Sequence, residues 1–435
     1  MINRRKLPKI FPYKNIHLVD PEKFYLDNGI KIFYFPNLSS EIVKIDIIFG
    51  AGSDLEKNYM EATFASTLIK EAPVDKNPDE ISEFFDFYGC VIETFVSFNK
   101  SGIRLNVPKQ FVNEVIKIFA ELILTPAIPR SEFEILKNRY IEAIKTQEVT
   151  TKYVARNHIN AAIFGKSNPR GKIISIEDVE NLNLTDVKRF VSDYYVAKNC
   201  ICFVSGAVDN DLLKLLNKYF GNLDISSNWN KEEKIVAPVY SFMQDVNKNI
   251  FIEVNNSVQA TIYMANKFSK LSVSELIDLN ILNTIFGGYF GSRLMKNIRE
   301  DKGYTYGIGS FLAEYDDCVV LKIVSDVGID FIDNTVEEVF NETEKLCKNL
   351  ISKTELEVVR NYMLGEIMSS VDGIFNQSEV WKAIILKKQK KSMIQQSVER
   401  IKNITATEIR QLAKKYLKKD DFFVVVAGNV NKCKQ

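Results

Sequence analysis

The feature that most constrains this chain is that it repeats itself. Leu184-Thr185-Asp186-Val187, followed by Tyr194 and Val204-Ser205-Gly206-Ala207-Val208, returns as Ala406-Thr407-Glu408-Ile409, Tyr416 and Val426-Ala427-Gly428-Asn429-Val430. Thr185, Tyr194 and Gly206 meet Thr407, Tyr416 and Gly428 at one constant offset, and Glu132, Glu134 and Asn138 meet Glu355, Glu357 and Asn361 within one residue of it. Self-similarity of this kind points to a duplicated α/β unit. In each copy the pattern predicts a Thr N-cap (Thr185 or Thr407), an acidic first turn, an amphipathic helix and a β-branched strand, Ile201 to Val204 or Phe422 to Val426. Strands are also expected over 31–35 and 43–49, the second alternating apolar and polar residues, with helices over 61–70, 79–88, 110–124 and 132–145. Polar residues over 226–233, with Pro238 beyond them, mark a linker. The resulting division is an N-terminal extension over 1–22, one domain over 23–224, a linker over 225–246 and a second domain over 247–435.

Composition narrows the function. The 435 residues carry 57 Lys and Arg against 56 Asp and Glu, a formal net charge of +1, which removes general electrostatic attraction to nucleic acid or anionic membrane. No apolar run reaches the roughly 18 to 20 residues that cross a bilayer, and Met1-Ile2-Asn3-Arg4-Arg5-Lys6 opens no apolar signal segment. A soluble, cytoplasmic protein is the expectation. Six cysteines are scattered, and the closest two, Cys200 and Cys202, are expected on opposite faces of a strand and unbridged. The only histidines are His17 and His158, both expected to be packing or surface residues.

Two stretches carry a resemblance. Leu26-Asp27-Asn28-Gly29-Ile30 leads to a strand ending Gly50-Ala51-Gly52-Ser53. Gly287-Gly288-Tyr289-Phe290-Gly291-Ser292-Arg293-Leu294 leads to Arg299-Glu300-Asp301-Lys302-Gly303-Tyr304-Thr305-Tyr306. Together they resemble the M16 metallopeptidases, the insulinase and mitochondrial processing peptidase-like family, over nearly the whole chain and in its duplicated half. The resemblance implies a LuxS/MPP-like metallohydrolase fold of α+β class: two homologous halves, each a mainly antiparallel sheet with helices on one face, facing each other.

In active members of that family an H-x-x-E-H helix binds Zn²⁺ through two imidazoles one turn apart, its Glu activates the metal-bound water, and a distal Glu completes the ligands. Here the two His positions hold Thr63 and Thr67, the general-base position holds Ser66, and the distal Glu position holds Ala143. A Thr hydroxyl does not replace an imidazole for zinc, and Ser66 accepts no proton near neutral pH. No metal is therefore expected in this chain, which reads as a non-zinc-binding subunit of the M16B type, inactive alone.

The other half of the family's site is present. Arg299 and Tyr306 match the Arg and Tyr that reach the substrate carbonyl and the oxyanion formed at a zinc site, and donors of that kind each supply roughly 2.7 to 4 kcal/mol of transition-state stabilisation. Gly287, Gly288 and Gly291 are expected chiefly to permit close backbone approach or positive φ, with substrate-loop contact as the minor alternative. The implied function is a catalytically incomplete subunit of a heterodimeric zinc peptidase. An H-x-x-E-H partner would hold the zinc, and the substrate would be a peptide or unfolded polypeptide. The alternative is a non-catalytic scaffold or peptide-binding protein of the same fold, which needs neither Arg299 nor Tyr306.

Overall fold

The computed structural model describes residues 16, 18–71, 73, 76–222 and 248–429. His17, Cys433 and the linker expected over 225–246 lie outside the described residues. The first half of the chain folds in the order β1 (Glu22–Tyr25), β2 (Lys31–Pro36), β3 (Ile42–Phe49), α1 (Glu61–Leu68), α2 (Pro78–Phe87), β4 (Val91–Val96), β5 (Ser101–Pro108), α3 (Val112–Leu124), α4 (Arg130–Gln147), α5 (Thr151–Phe164), α6 (Ile176–Asn181), α7 (Leu184–Tyr194), β6 (Cys200–Gly206) and α8 (Asn210–Phe220). The second half gives β7 (Asn249–Glu253), β8 (Gln259–Ser269), α9 (Val273–Asn283), β9 (Thr305–Glu314), β10 (Cys318–Gly328), α10 (Ile332–Lys348), α11 (Lys353–Ser370), α12 (Gly373–Leu386), α13 (Ser392–Asn403), α14 (Ala406–Tyr416) and β11 (Phe423–Gly428). Two π-helical turns, Thr284–Gly288 and Met295–Asp301, lie between α9 and β9.

The duplication is visible in the sheets. The first runs β1-β2-β6-β3-β5-β4 and the second β7-β11-β8-β10-β9. Each contains one parallel pair, β2 with β6 and β7 with β11, in otherwise antiparallel order. The fold is α+β, built as two mainly antiparallel sheets. Capping differs from expectation. The caps fall two residues earlier, at Asn183, whose side chain makes no capping bond, and at Thr405, which forms a reciprocal capping box with Glu408. Thr185 and Thr407 sit inside the first turn, because the helices begin one residue before each. Cys200 and Cys202 share a face of β6, since side chains two apart in a strand point the same way, and both are free thiols.

Each sheet has a main core on one face. In the first, Ile45, Ile47, Leu105 and Val204 pack on Phe64 and Leu68 of α1, Phe119 of α3 and Phe190 of α7. In the second, Ile262, Met264 and Leu321 pack on Ile281, Val339 and Ile409. The opposite faces are covered as well, and by exchange. Helix α12, from the second half, lays Ile374, Trp381 and Ile385 on Phe33, Phe35, Ile48 and Phe203 of the first sheet. Helix α5, from the first half, lays Ala155, Ile159 and Ile163 on Tyr263, Ala265, Val320 and Val425 of the second. The two halves are thereby tied through their own sheets.

The charged residues alternating along β3 end up beneath α12. Asp46, 1% exposed, accepts from Arg104 Nε at 2.6 Å and Lys382 Nζ at 3.1 Å. Glu379 of α12 accepts from Lys44 and Arg104 at 2.8 Å each and pairs with Lys382 at 2.6 Å. A buried charge survives only with such compensation. Burial would raise the Glu379 carboxyl, but its bonds to Lys382 and Lys44 hold it down at about 2. No helix among the described residues is long and apolar enough to cross a membrane.

The loop from β3 into α1 is built around carboxyl groups. Glu61 accepts from the backbone N–H groups of Lys57 and Asn58 and pairs with Arg189 at 2.5 Å, while Glu56 accepts from Ala62 N at 2.9 Å. Burial lifts the Glu56 carboxyl to about 8 against the opposing backbone bonds from Ala62 and Met60. Asp54 is raised to about 6, again chiefly by burial.

Two predictions follow from opposite signs. Glu379→Gln should lower stability at neutral pH by about 1–2 kcal/mol, discounted for partial exposure, and the loss should vanish as pH falls from about 4.5 toward 2. Denaturant unfolding at pH 7 and pH 3 checks it, and equal losses at both would refute it. Glu56 behaves inversely: between about 4.5 and 8 the folded chain holds a proton that the unfolded chain has released, so rising pH erodes stability. Glu56→Gln should therefore become more stable than the parent by an amount growing on the order of 1–3 kcal/mol from pH 5 to pH 8. A constant difference across that window would count against the buried neutral carboxyl.

Candidate functional site

Helix α1 carries the first group of positions. It starts after Met60, whose φ of +75° turns the chain sharply into the helix. Thr63 and Thr67 are one turn apart and half-buried, and Thr67 Oγ1 is spent on the Thr63 carbonyl at 2.8 Å. Ser66 is buried and donates to the Phe95 carbonyl of β4 at 2.9 Å. Helix α4 packs on α1 through Phe133 and Tyr140 against Phe64, with ring centroids 5.6 and 5.3 Å apart. The Tyr140 phenol is raised mainly by burial and lowered somewhat by the Thr67 hydroxyl. Ala143, also on α4, has no side-chain donor atom.

These groups do not fit a zinc ion. Two hydroxyls are committed to backbone carbonyls, no imidazole or carboxylate stands at the four positions, and Thr is too weak a donor for the metal. Among the described residues, no group of three or more His, Cys, Asp or Glu side chains is arranged to hold a metal. His158 is half-buried on α5, with its imidazole pKa lowered by burial and by Lys166.

The second group lies on the other sheet. Gly287 and Gly288 belong to the π turn Thr284–Gly288, which packs on β9. A Cβ at Gly287 would stand 2.5 Å from Ser310 Oγ, and one at Gly291 would stand 2.8 Å from the Tyr289 ring. None of Gly287, Gly288 and Gly291 adopts positive φ, so close approach is what requires them. Gly287 in particular lets the turn sit against the buried Asn283 and Ser310 pair, bonded at 2.7 Å.

Arg299 is on the π turn Met295–Asp301 and Tyr306 on β9, an edge strand hydrogen-bonded only to β10 in the sheet. The turn and the strand adjoin, with Tyr304 N donating to Ile298 O at 3.0 Å. Arg299 places its guanidinium 4.7 Å from the centre of the Phe290 ring, a cation–π contact, and makes no ion pair among the described residues. Tyr306 is 91% exposed, and its hydroxyl has no hydrogen bond among the described residues. Two strong donors thus stand without polar partners among the described residues on adjoining elements, whereas the Ser66 and Thr67 hydroxyls on α1 donate to backbone carbonyls. Sequence reasoning did not single out Phe290 as the support of Arg299, nor Asn297 on the same turn. Phe290 was legible only as part of the glycine motif.

The chain resembles known peptidases over most of its length. A family profile described as "Peptidase M16 inactive domain" matches residues 181–363, which include the glycine motif, Arg299 and Tyr306. The chain is 23% identical to a Bacillus subtilis protein described as an uncharacterized zinc protease, YmxG, covering 81% of this chain and 84% of that one. It is 20% identical to the beta subunit of the mitochondrial-processing peptidase of Saccharomyces cerevisiae, covering 93% and 90%. A solved protease structure from Helicobacter pylori superposes with a TM-score of 0.82 at 17% identity, covering 95% of this chain and all of that one. The stretch that carries the glycine-rich turn, Arg299 and Tyr306 is thus similar to the M16 peptidases, and the fold of the whole chain is like that of a solved protease.

Proposed function

We propose that this chain is the zinc-free subunit of a two-chain M16 peptidase. Its partner carries H-x-x-E-H and so holds the metal and the general base. This chain contributes Arg299, Tyr306 and one wall of a chamber that admits a peptide or unfolded polypeptide. The observation that carries this reading is the contrast between its two sets of positions. The Ser66 and Thr67 hydroxyls donate to backbone carbonyls, while Arg299 and Tyr306 have no hydrogen-bond or ion-pair partner among the described residues.

A guanidinium supported on a ring is a fixed positive charge with several N–H donors, and the Tyr306 phenol adds one O–H donor. Aimed at a substrate carbonyl, such donors bind more strongly as negative charge develops on its oxygen, which is the direction that lowers a barrier. Neither group needs to exchange a proton for this. The glycine turn that Gly287, Gly288 and Gly291 permit brings backbone close to Gly309 and Ser310 of β9, the strand that carries Tyr306, and we assign it to the substrate-facing wall. The division at 23–224 and 247–435 belongs to the same proposal and is supported by the separate composition of the two sheets.

The test is purification of the tagged chain from its own cells, identification of any stoichiometric H-x-x-E-H partner, and assay of the complex. Arg299→Ala should leave assembly intact and lower kcat/KM by about 10²–10³, and Tyr306→Phe should lower it by about tenfold or more. Full activity in the assembled Arg299→Ala complex would overturn the proposal in favour of a non-catalytic scaffold.

A further inference from the structure

The π turn that carries Arg299 is held by an arrangement of charges on its other side. A π-helix has wide i→i+5 rings, is rare, and persists where surrounding structure over-determines it. Here Lys302 N donates to Asn297 O, five residues back, at 3.0 Å. Arg293, just before the turn, forms a bidentate pair with Glu355 of α11 at 2.8 and 3.0 Å. Lys302, just after it, reaches Glu338 of α10 at 3.3 Å. Between them Asn297, only 8% exposed, donates its side-chain amide to Glu338 at 2.7 Å and to Glu342 at 2.8 Å.

Glu338 and Glu342 are one turn apart on α10, where like charges repel. The amide nitrogen of Asn297 has two hydrogens and no negative charge, so it joins both carboxylates, whose charges are balanced by Lys302 and by Lys345 at 2.7 Å. Arg293, Asn297, Glu342 and Glu355 line a cleft of about 470 Å³ between the turn and helices α10 and α11. Arg299 is not part of this lining; it turns to Phe290, with no polar anchor of its own among the described residues. Its direction is therefore set by how the turn is pinned, since one residue of slip from π to α register would rotate it by about a quarter of a turn.

We propose that Asn297 is a positioning residue for Arg299: its two hydrogen bonds to Glu338 and Glu342 fix the π register that presents the guanidinium. This rests on the role proposed for Arg299, but its primary test does not need the partner subunit. Full-length wild-type chain and Asn297→Ala are treated with phenylglyoxal, and arginine modification is mapped by mass spectrometry, with exposed Arg130 as internal reference. Loosening the turn should release Arg299 from Phe290 and quicken its modification by about threefold or more, leaving Arg130 unchanged. Asn297→Gln, which keeps the donor, should restore part of the slow rate. If Asn297→Ala fails to fold, the double substitution Glu338→Met and Glu342→Met, which is close in size and removes both acceptors of the Asn297 amide, is put to the same measurement. An unchanged Arg299 rate in a folded variant overturns the proposal.

In the assembled peptidase the readout is a double-mutant cycle. Asn297→Ala should lower kcat more than it changes KM, and should have no further effect once Arg299 is Ala. Additive losses would show that Asn297 acts otherwise than through Arg299, and would overturn the proposal. If Arg299→Ala alone has no effect on that complex, the peptidase role fails, while the phenylglyoxal result still decides whether Asn297 holds Arg299.

Discussion

The architecture depends on one constraint: each sheet has two faces to bury, and its own half of the chain covers only one of them. The alternating strand β3 shows this directly. Val43, Ile45, Ile47 and Phe49 enter the main core, while Lys44, Asp46 and Ile48 face the other way. That second face becomes interior only because α12 arrives with Glu379 and Lys382 matched to Asp46, Lys44 and Arg104. The reciprocal contact of α5 on the second sheet is more apolar, but it also buries Lys322, which donates to Asn160 at 2.6 Å. Without its helix, either sheet would expose hydrophobic side chains beside charges that have lost their partners.

That exchange has a consequence for function. Helix α1, with Thr63, Ser66 and Thr67, packs on the first sheet, while the turn bearing Arg299 and the strand bearing Tyr306 belong to the second. Fixing the sheets to one another through α5 and α12 fixes where those positions lie. The hairpin tips add to it: Arg170, 9% exposed on its side chain, lies 3.9 Å from the Phe98 ring centre, 4.8 Å from that of Tyr315, and pairs with Asp317 at 2.7 Å. A guanidinium between two rings tolerates burial better than an ammonium would, because it is weakly hydrated and planar.

The two groups of site positions illustrate different fates of polar side chains. On α1, the Ser66 and Thr67 hydroxyls each bond to a nearby carbonyl, so the helix gains satisfied packing where a metal site would need open donors. On the second sheet, Arg299 and Tyr306 lie on a turn and an edge strand and have no hydrogen-bond or ion-pair partner among the described residues. Their supports come from residues that a motif does not mark: Phe290 beneath the guanidinium, and Asn297 between two glutamates of α10.

The sequence alone determined the duplication, the main strands and helices, and the absence of imidazole and carboxylate at Thr63, Ser66, Thr67 and Ala143. All of these depend on local periodicity or on residue identity at a fixed spacing, which the linear chain carries in full. The caps at Asn183 and Thr405 escaped by two residues because several nearby side chains could cap equally well, and the choice depends on where the helix axis meets its sheet. Alternation along β3 reads as one face to solvent, whereas the fold buries it, because the covering helix lies more than 300 positions away, as Lys44 and Glu379 show. The π register of the turn before β9, the role of Asn297 and the elevated Glu56 carboxyl were likewise decided only in three dimensions. Each depends on which distant groups surround a side chain, and thus on desolvation and charge pairing that exist only once the chain has folded.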